Sequence, residues 1–397
     1  MDMSVPIGVA VIGAGMAGRA HCAGYRTAPT LFDPPLPPIR YAAVIDANEA
    51  VAADAAQRYG YERSGSDWRS LLTDDSVQVV SIVVANRLHR EIAEAMLAAG
   101  KHVLSEKPLA DSIEDAQAMV AAAAAHPDLQ TGTGFVYRRQ PAVAAIRELV
   151  QGEFGQVSHF NGRYWCDYAV SPLTPMAWRY EGGPGTGALA DIGSHLIDLA
   201  EFVCGPMTSV SGAAFTTVVP ERFVAKGTTY GHARAELTDE RKPVTNDDVA
   251  SFTAHFAVGA VGTFSISRVA PGHANSMSFE VHGATGAASW DMDRPAEFSV
   301  LRQMREDGLD GFNQVLAGPA HPYVKGGLPM DFPGVSYGVG DLFGYQARAF
   351  LEQVAGIEGG LPPVASFADG LRDLTIIDAV RRSAAAGGAT IALPAHG

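Results

Sequence analysis

Residues 13–18 read Gly-Ala-Gly-Met-Ala-Gly, a G-x-G-x-x-G turn set between an apolar run and a helical pattern. Val5–Ile12 reads as a buried strand and Met16–Arg26 as a helix. In such a turn the first glycine permits the tight bend and the second lets the backbone approach a pyrophosphate. The third lets helix and strand pack closely. The helix start then offers free N–H groups and a positive dipole end to phosphate. Alone, the motif could be a structural turn; at the first strand of an alternating domain it points to a dinucleotide.

The alternation continues. Tyr41–Ile45, Val77–Val84, His102–Leu104 and Gln130–Phe135 read as strands, and Glu49–Tyr59, Leu88–Ala99 and Ile113–Ala125 as helices. Strands alternating with helices imply a doubly wound parallel sheet covered on both faces, a Rossmann domain over residues 1–137. Asp46 ends the second strand, where a carboxylate can accept both ribose hydroxyls of NAD. It lies 33 residues after Gly13 rather than the usual ~20. The excess falls in 29–38, where five of ten residues are proline, so an inserted extended loop is expected. The alternative role for Asp46 is capping the next helix.

After Pro141 the rhythm changes. A helix over Val143–Gln151 precedes Val157–Trp165, which alternates like a half-exposed strand. The stretches 251–258, 262–267, 277–283 and 297–301 follow as strands, with hairpin turns at Gly259-Ala260 and Gly283–Gly286. This predicts an α+β domain over 138–397 with a large, mainly antiparallel sheet. Residues 222–250 and 303–340 read as long loops, and Leu342–Val354 as a last helix packing back on the body.

Composition closes other routes. The 29 basic residues face 43 acidic ones, a net charge of −14 that disfavours a nucleic-acid partner. Cys22, Cys166 and Cys204 form no C-x-x-C pair, so free thiols in the cytoplasm and no cysteine metal site are expected. No signal peptide or membrane span is evident.

Glu106-Lys107-Pro108 follows the His102–Leu104 strand, and residues 187–198 read G-x-x-x-D-x-G-x-H-x-x-D. With the glycine turn, these resemble the glucose–fructose oxidoreductase / inositol dehydrogenase / MocA-type (Gfo/Idh/MocA) family over nearly the whole chain. Tyr137-Arg138-Arg139, Trp178-Arg179, 318–323 (Gly-Pro-Ala-His-Pro-Tyr) and 366–370 (Ser-Phe-Ala-Asp-Gly) resemble its levoglucosan-dehydrogenase-like branch.

The resemblance implies that Lys107, Asp191 and His195 surround a reacting hydroxyl. The chemistry agrees, because oxidation needs a base for the hydroxyl proton and a cation for the developing alkoxide. Asp191 and His195, four apart, would share a helix face, with Leu189, Ile192, Leu196 and Leu199 largely on the others. Two metal ligands are the alternative for this pair, but no third is identifiable. Asp198 is assigned to structure.

The expected cofactor contacts are Gly13, Gly15, Met16 and Ala17 in the turn and Asp46 beyond the second strand. Ala85, Asn86, His89, Glu106 and Lys107 complete them. The family commonly has Thr-Pro where Ala85-Asn86 stand. A sugar pocket is expected from Tyr137, Arg138, Tyr164, Trp165, Trp178, Arg179 and His321, in the crevice between domains.

The resulting expectation is an NAD-dependent dehydrogenase that converts a ring secondary alcohol to a ketone. Its substrate would be a sugar, anhydrosugar, cyclitol or glycoside unit, and it would form a homodimer or homotetramer through the second sheet. NADP fits less well beside Asp46. The alternatives are an NADP-linked sugar–sugar oxidoreductase, an enzyme oxidising an aminosugar in natural-product (aminoglycoside-type) biosynthesis, and a non-catalytic NAD-sensing regulator.

Overall fold

The computed structural model describes residues 3–183, 185–227, 235–303, 310–318, 321–328, 330, 332, 335 and 337–395. The chain divides into two compact units. The first comprises residues 1–139 and 318–371, and the second 140–317 and 372–397.

The first unit is built on six parallel strands: β1 (Ile7–Ile12), β2 (Ile39–Ile45), β3 (Arg63–Gly65), β4 (Val79–Ile82), β5 (His102–Ser105) and β6 (Thr131–Thr133). Their order is β3-β2-β1-β4-β5-β6, so the winding reverses between β1 and β4, where doubly wound sheets bind ligands. Four helices alternate with them: α1 (Met16–Thr27), α2 (Glu49–Tyr59), α3 (His89–Ala98) and α4 (Ile113–Ala125). Every residue of β1 is buried, as a central strand covered on both faces requires. The registers place Ile12, Ile45, Ile82 and Ser105 at one level. Gly13, Asp46, Val83 and Glu106 therefore begin the loops at the carboxyl edge.

The second unit starts with α5 (Pro141–Gly152), followed by β7 (Val157–Cys166) and α6 (Ser194–Cys204). Its further strands are β8 (Met207–Thr216), β9 (Glu221–Ala225), β10 (Leu237–Pro243), β11 (Val249–Phe256) and β12 (Val261–Ser267). These are followed by β13 (Asn275–Gly283), β14 (Ala287–Asp291), β15 (Glu297–Leu301), β16 (Asn313–Leu316) and β17 (Ile391–Ala392). Nine of them form one sheet, ordered β16-β15-β14-β13-β7-β12-β11-β8-β17, and β9 and β10 pair separately. The sheet is mixed: β7 and β12 run parallel and the other pairs antiparallel. One face packs on α5 and α6. The other carries the exposed His159, Asn161, Thr263 and His255.

Several expectations change. The expected second domain of 138–397 is interrupted, because 318–371 belongs with the first unit. The cause is α7 (Val339–Ala355), longer than the expected Leu342–Val354, which packs on α1. Fully buried Arg348 of α7 pairs with Glu352 and donates to the carbonyls of Leu31 and Pro34, tying down the proline-rich loop. Nor is this the last helix, since α8 (Phe367–Ala385) follows.

Residues 222–250 are not one loop: they hold most of β9, all of β10 and the start of β11, with 228–234 outside the described residues. The stretch 303–340 contains β16, and its residues 304–309, 319–320, 329, 331, 333–334 and 336 lie outside the described set. Strand β8 escaped detection because register shifts against β11 break its alternation; Met207, Val210 and Ala213 are buried three apart. Among the described residues no helix is long and apolar enough to cross a membrane.

Candidate active site

In the first unit the three glycines of the turn are under different constraints. Gly13 has φ +99°, and a Cβ there would lie 2.0 Å from the Val83 carbonyl oxygen. A Cβ on Gly18 would lie 1.9 Å from the Gly13 oxygen, so helix and turn touch backbone to backbone. Gly15 has nothing within 4 Å of its Cβ position. That opening, at the start of α1, fits an approaching pyrophosphate. Met16 beside it is 71% exposed.

Asp46 closes the cradle. Its Oδ2 accepts from the Ala14 N–H at 2.8 Å and its Oδ1 from the Asn48 N–H at 2.9 Å. Helix α2 is capped by Asn48, whose side chain accepts from Ala50 and Val51, so Asp46 is not its cap. A carboxylate has about four lone-pair positions, so both oxygens keep capacity for ribose hydroxyls. The arginines of this region already have partners: Arg19 donates to the Ala14 carbonyl of the turn at 3.3 Å and pairs with Asp54 at 3.0 Å. Arg40 pairs with Glu62 at 2.7 Å, six residues before Asp46 on β2, or about 20 Å along the strand. Arg26 stacks on Tyr41 at the far end of α1.

At the next two strand ends, Ala85 is extended and Asn86 is buried in a 3₁₀ turn. His89 is fully buried, with its ring nitrogens 3.1 Å from the Val84 and Leu109 carbonyl oxygens. Burial pushes its pKa down. It ties two loops together, a structural place rather than the cofactor contact expected for it. Glu106 is held from both sides: His21 Nε2 lies 2.9 Å from Oε1, and the Lys107 N–H donates to Oε2 at 3.1 Å. His21 Nδ1 and the Tyr25 hydroxyl both meet Ser81 Oγ. This buried network, which the sequence reading missed, holds the backbone of Lys107 at its strand end.

Of the expected sugar contacts in this unit, Tyr137 is buried and Arg138 pairs with Asp369 at 3.1 Å. His321 accepts from the Tyr323 N–H through Nδ1, and burial lowers its pKa. A neutral ring accepting there carries its proton on Nε2. Pro319 and Ala320 of the same motif lie outside the described residues.

In the second unit Asp191 does not lie on a plain α-helix. Leu189–Gly193 forms a π-helical turn that runs into α6, which begins at Ser194. Such turns often mark functional sites. Asp247 sets the start of this turn: Oδ2 accepts from the Leu189 N–H at 2.8 Å, and its carbonyl accepts from Ala188 at 3.0 Å. A side chain on Gly187, at φ +87°, would collide with that carboxylate. Asp247 is itself buried, which raises its pKa.

The neighbouring Asn246 donates to the carbonyls of Arg179 and Glu181, and Arg268, ion-paired with Asp248, donates to the same Arg179 carbonyl. Asn246, Asp247 and Asp248 thus brace both segments that meet at Asp191.

There, Asp191 Oδ2 accepts from the Tyr168 hydroxyl at 2.9 Å, and Arg179 Nε lies 3.9 Å from the same oxygen. The Arg179 guanidinium stacks on Trp178, which is 42% exposed. His195 is buried, with its ring centre 6.3 Å from that of Tyr164, whose hydroxyl meets Asn275. Leu189, Ile192, Leu196 and Leu199 are buried, as expected of the packed side, and Asp198 is buried too. Trp165 does not join Tyr164. Adjacent strand residues face opposite sides, and Trp165 lies under Arg163 and donates to Ser265, on the face away from His195. Among the described residues no group of three or more His, Cys, Asp or Glu is placed to hold a metal.

Comparison with known proteins fits both units. Residues 7–133 match the model of an oxidoreductase family with an NAD-binding Rossmann fold, and 143–289 match the GFO/IDH/MocA C-terminal domain. The chain belongs to the GFO/IDH/MocA family and is an NAD(P)-dependent oxidoreductase. Among its relatives is levoglucosan dehydrogenase of Pseudarthrobacter phenanthrenivorans, 38% identical over 384 residues, 96% of each chain. A solved levoglucosan dehydrogenase in complex with NADH and levoglucosan is 36% identical, with a TM-score of 0.88, over 98% of this chain and 100% of that one. An oxidoreductase domain protein from Kribbella flavida aligns equally well, at 36% identity, a TM-score of 0.88 and the same coverage.

Proposed function

We propose that this chain is an NAD-dependent dehydrogenase that oxidises a ring secondary hydroxyl of a sugar, anhydrosugar, cyclitol or glycoside sugar unit to a ketone. The observation that carries the reading is the end-to-end similarity to levoglucosan dehydrogenase, joined to Lys107, Asp191 and His195 at the family's motif positions. Bound NAD supplies the hydride acceptor. Gly15 leaves room for its pyrophosphate, and Asp46 accepts from its ribose. Lys107 donates to the substrate oxygen as negative charge develops there. His195 takes the hydroxyl proton, and Asp191 supports the imidazolium that forms. Trp178 offers an apolar platform for a sugar ring, and Tyr137, Arg138, Tyr164, Arg179 and His321 remain candidates for its hydroxyls. Trp165 is set aside.

The test is a panel of polyols, anhydrosugars and glycosides screened for reduced-nicotinamide absorbance, run with NAD and with NADP. NAD should be preferred by about 10²-fold in kcat/KM, since a 2′-phosphate would meet the Asp46 carboxylate, and Arg19, which lies beside the turn, is already paired with Asp54 at 3.0 Å. Asp46→Ala should weaken NAD use and narrow the ratio. No turnover with any sugar or polyol would end the reading, and equal use of NADP would end the role of Asp46.

The open face of the second unit's sheet is proposed as the surface of a homodimer or homotetramer, with Val261 at 37% exposure among its polar neighbours. Light scattering should give two or four chains per particle; a monomer at micromolar concentration would refute it. The three cysteines are buried thiols, which suits a reducing cytoplasm.

A further inference from the structure

The segment after β7 delivers Tyr168 to Asp191 from 23 positions upstream. It is anchored directly after the phenol. Ala169 is fully buried; its N–H donates to the Arg268 carbonyl at 3.1 Å and its carbonyl accepts from Arg222 at 2.7 Å. The ring packs against the cluster of Ala169, Met176, Tyr180 and Val244. Burial first, and the charge of Asp191 second, push the phenol pKa well above its ordinary value. The hydroxyl therefore stays protonated and serves as a donor. The Asp191 side chain keeps about a quarter of its surface exposed (24%). Its Oδ2 accepts one hydrogen bond, from the Tyr168 hydroxyl at 2.9 Å, and the Arg179 charge lies 3.9 Å from the same oxygen. The hydrogen bond from an anchored phenol, with a cation beside the same oxygen, restricts rotation of the carboxylate at the turn that leads into His195.

We propose that Tyr168 is a positioning residue for the oxidation: its hydroxyl holds the Asp191 carboxylate in the orientation that the proton transfer at His195 uses. This rests on the reading that Asp191 and His195 act in the reaction. Misplacement of a reacting group by about 1 Å can cost 10²-fold in rate. The effect of Tyr168 should thus fall on kcat and leave the KM for NAD alone. Because it works through Asp191, its effect should vanish once Asp191 has lost its charge.

The experiment compares Tyr168→Phe, Asp191→Asn and the double variant, with melting temperatures as a folding control. Phenylalanine keeps the packing and removes only the hydroxyl. Tyr168→Phe is expected to lower kcat by about 10–100-fold at unchanged KM for NAD and nearly unchanged melting temperature. The double variant should be no slower than Asp191→Asn alone. If Asp191→Asn is slow but Tyr168→Phe keeps the full kcat, the role of Tyr168 is overturned while that of Asp191 stands. Additive losses in the double variant overturn it as well, because Tyr168 would then act elsewhere. Full activity in Asp191→Asn removes Asp191 from the reaction, and the positioning role with it.

Discussion

Replacing Lys107 by methionine is expected to lower kcat by about 10²–10³-fold while NAD binding stays nearly intact. The loss corresponds to about 2.7–4 kcal/mol of transition-state stabilisation. Lys107 lies just beyond β5, two residues past Ser105, which is level with Ile12, Ile45 and Ile82. Its backbone N–H is held by Glu106, which His21 holds in turn. Methionine keeps the length of the stem and removes the charge, so this buried support should survive. Steady-state kinetics give kcat, and quenching of intrinsic fluorescence on titration with NAD gives the affinity. Undiminished turnover would take Lys107 out of the mechanism. Loss of NAD binding along with turnover would assign it to the cofactor instead.

His195→Ala should lose about 10²–10⁴-fold, the usual contribution of a positioned acid–base group. The sign of the pH dependence follows from the proton count. Only the neutral imidazole can accept a proton, so the wild-type rate should rise with pH as the imidazole loses its proton. The variant should lack that limb. A pH–rate profile of kcat/KM for both proteins decides the matter. If the variant keeps the rate and the limb, the base is another group, and Lys107 is the first to test.

Much of the framework was readable because it is local. The glycine turn is set by backbone contacts within a few residues and by the strand beside it, so its three glycines carry a recognisable spacing. Strand and helix periods revealed the parallel sheet, and Asp46 was found as the residue just past an apolar run. In β7 the same period also separates Tyr164 from Trp165; neighbours on a strand cannot serve one pocket, and placing both at the sugar ignored that alternation. Strand β8 stayed hidden for the opposite reason, since its bulges against β11 erase the two-residue period.

The chain's own order of residues thus determined the class of fold, the glycine turn with Asp46, and the three motif residues proposed for the reaction. It could not show what holds them. His21 meets Glu106 across 85 positions, Asp247 meets Leu189 across 58, and Arg348 reaches Leu31 across 317. It was the tertiary structure that replaced a plain helix by a π turn at Asp191, brought Tyr168 to its carboxylate, and returned residues 318–371 to the first unit. Such partnerships arise when distant segments pack and must satisfy their buried polar groups. Hydrogen bonds of that kind leave no periodic mark on the sequence, because each depends on where two chain segments meet and not on the residues beside either one.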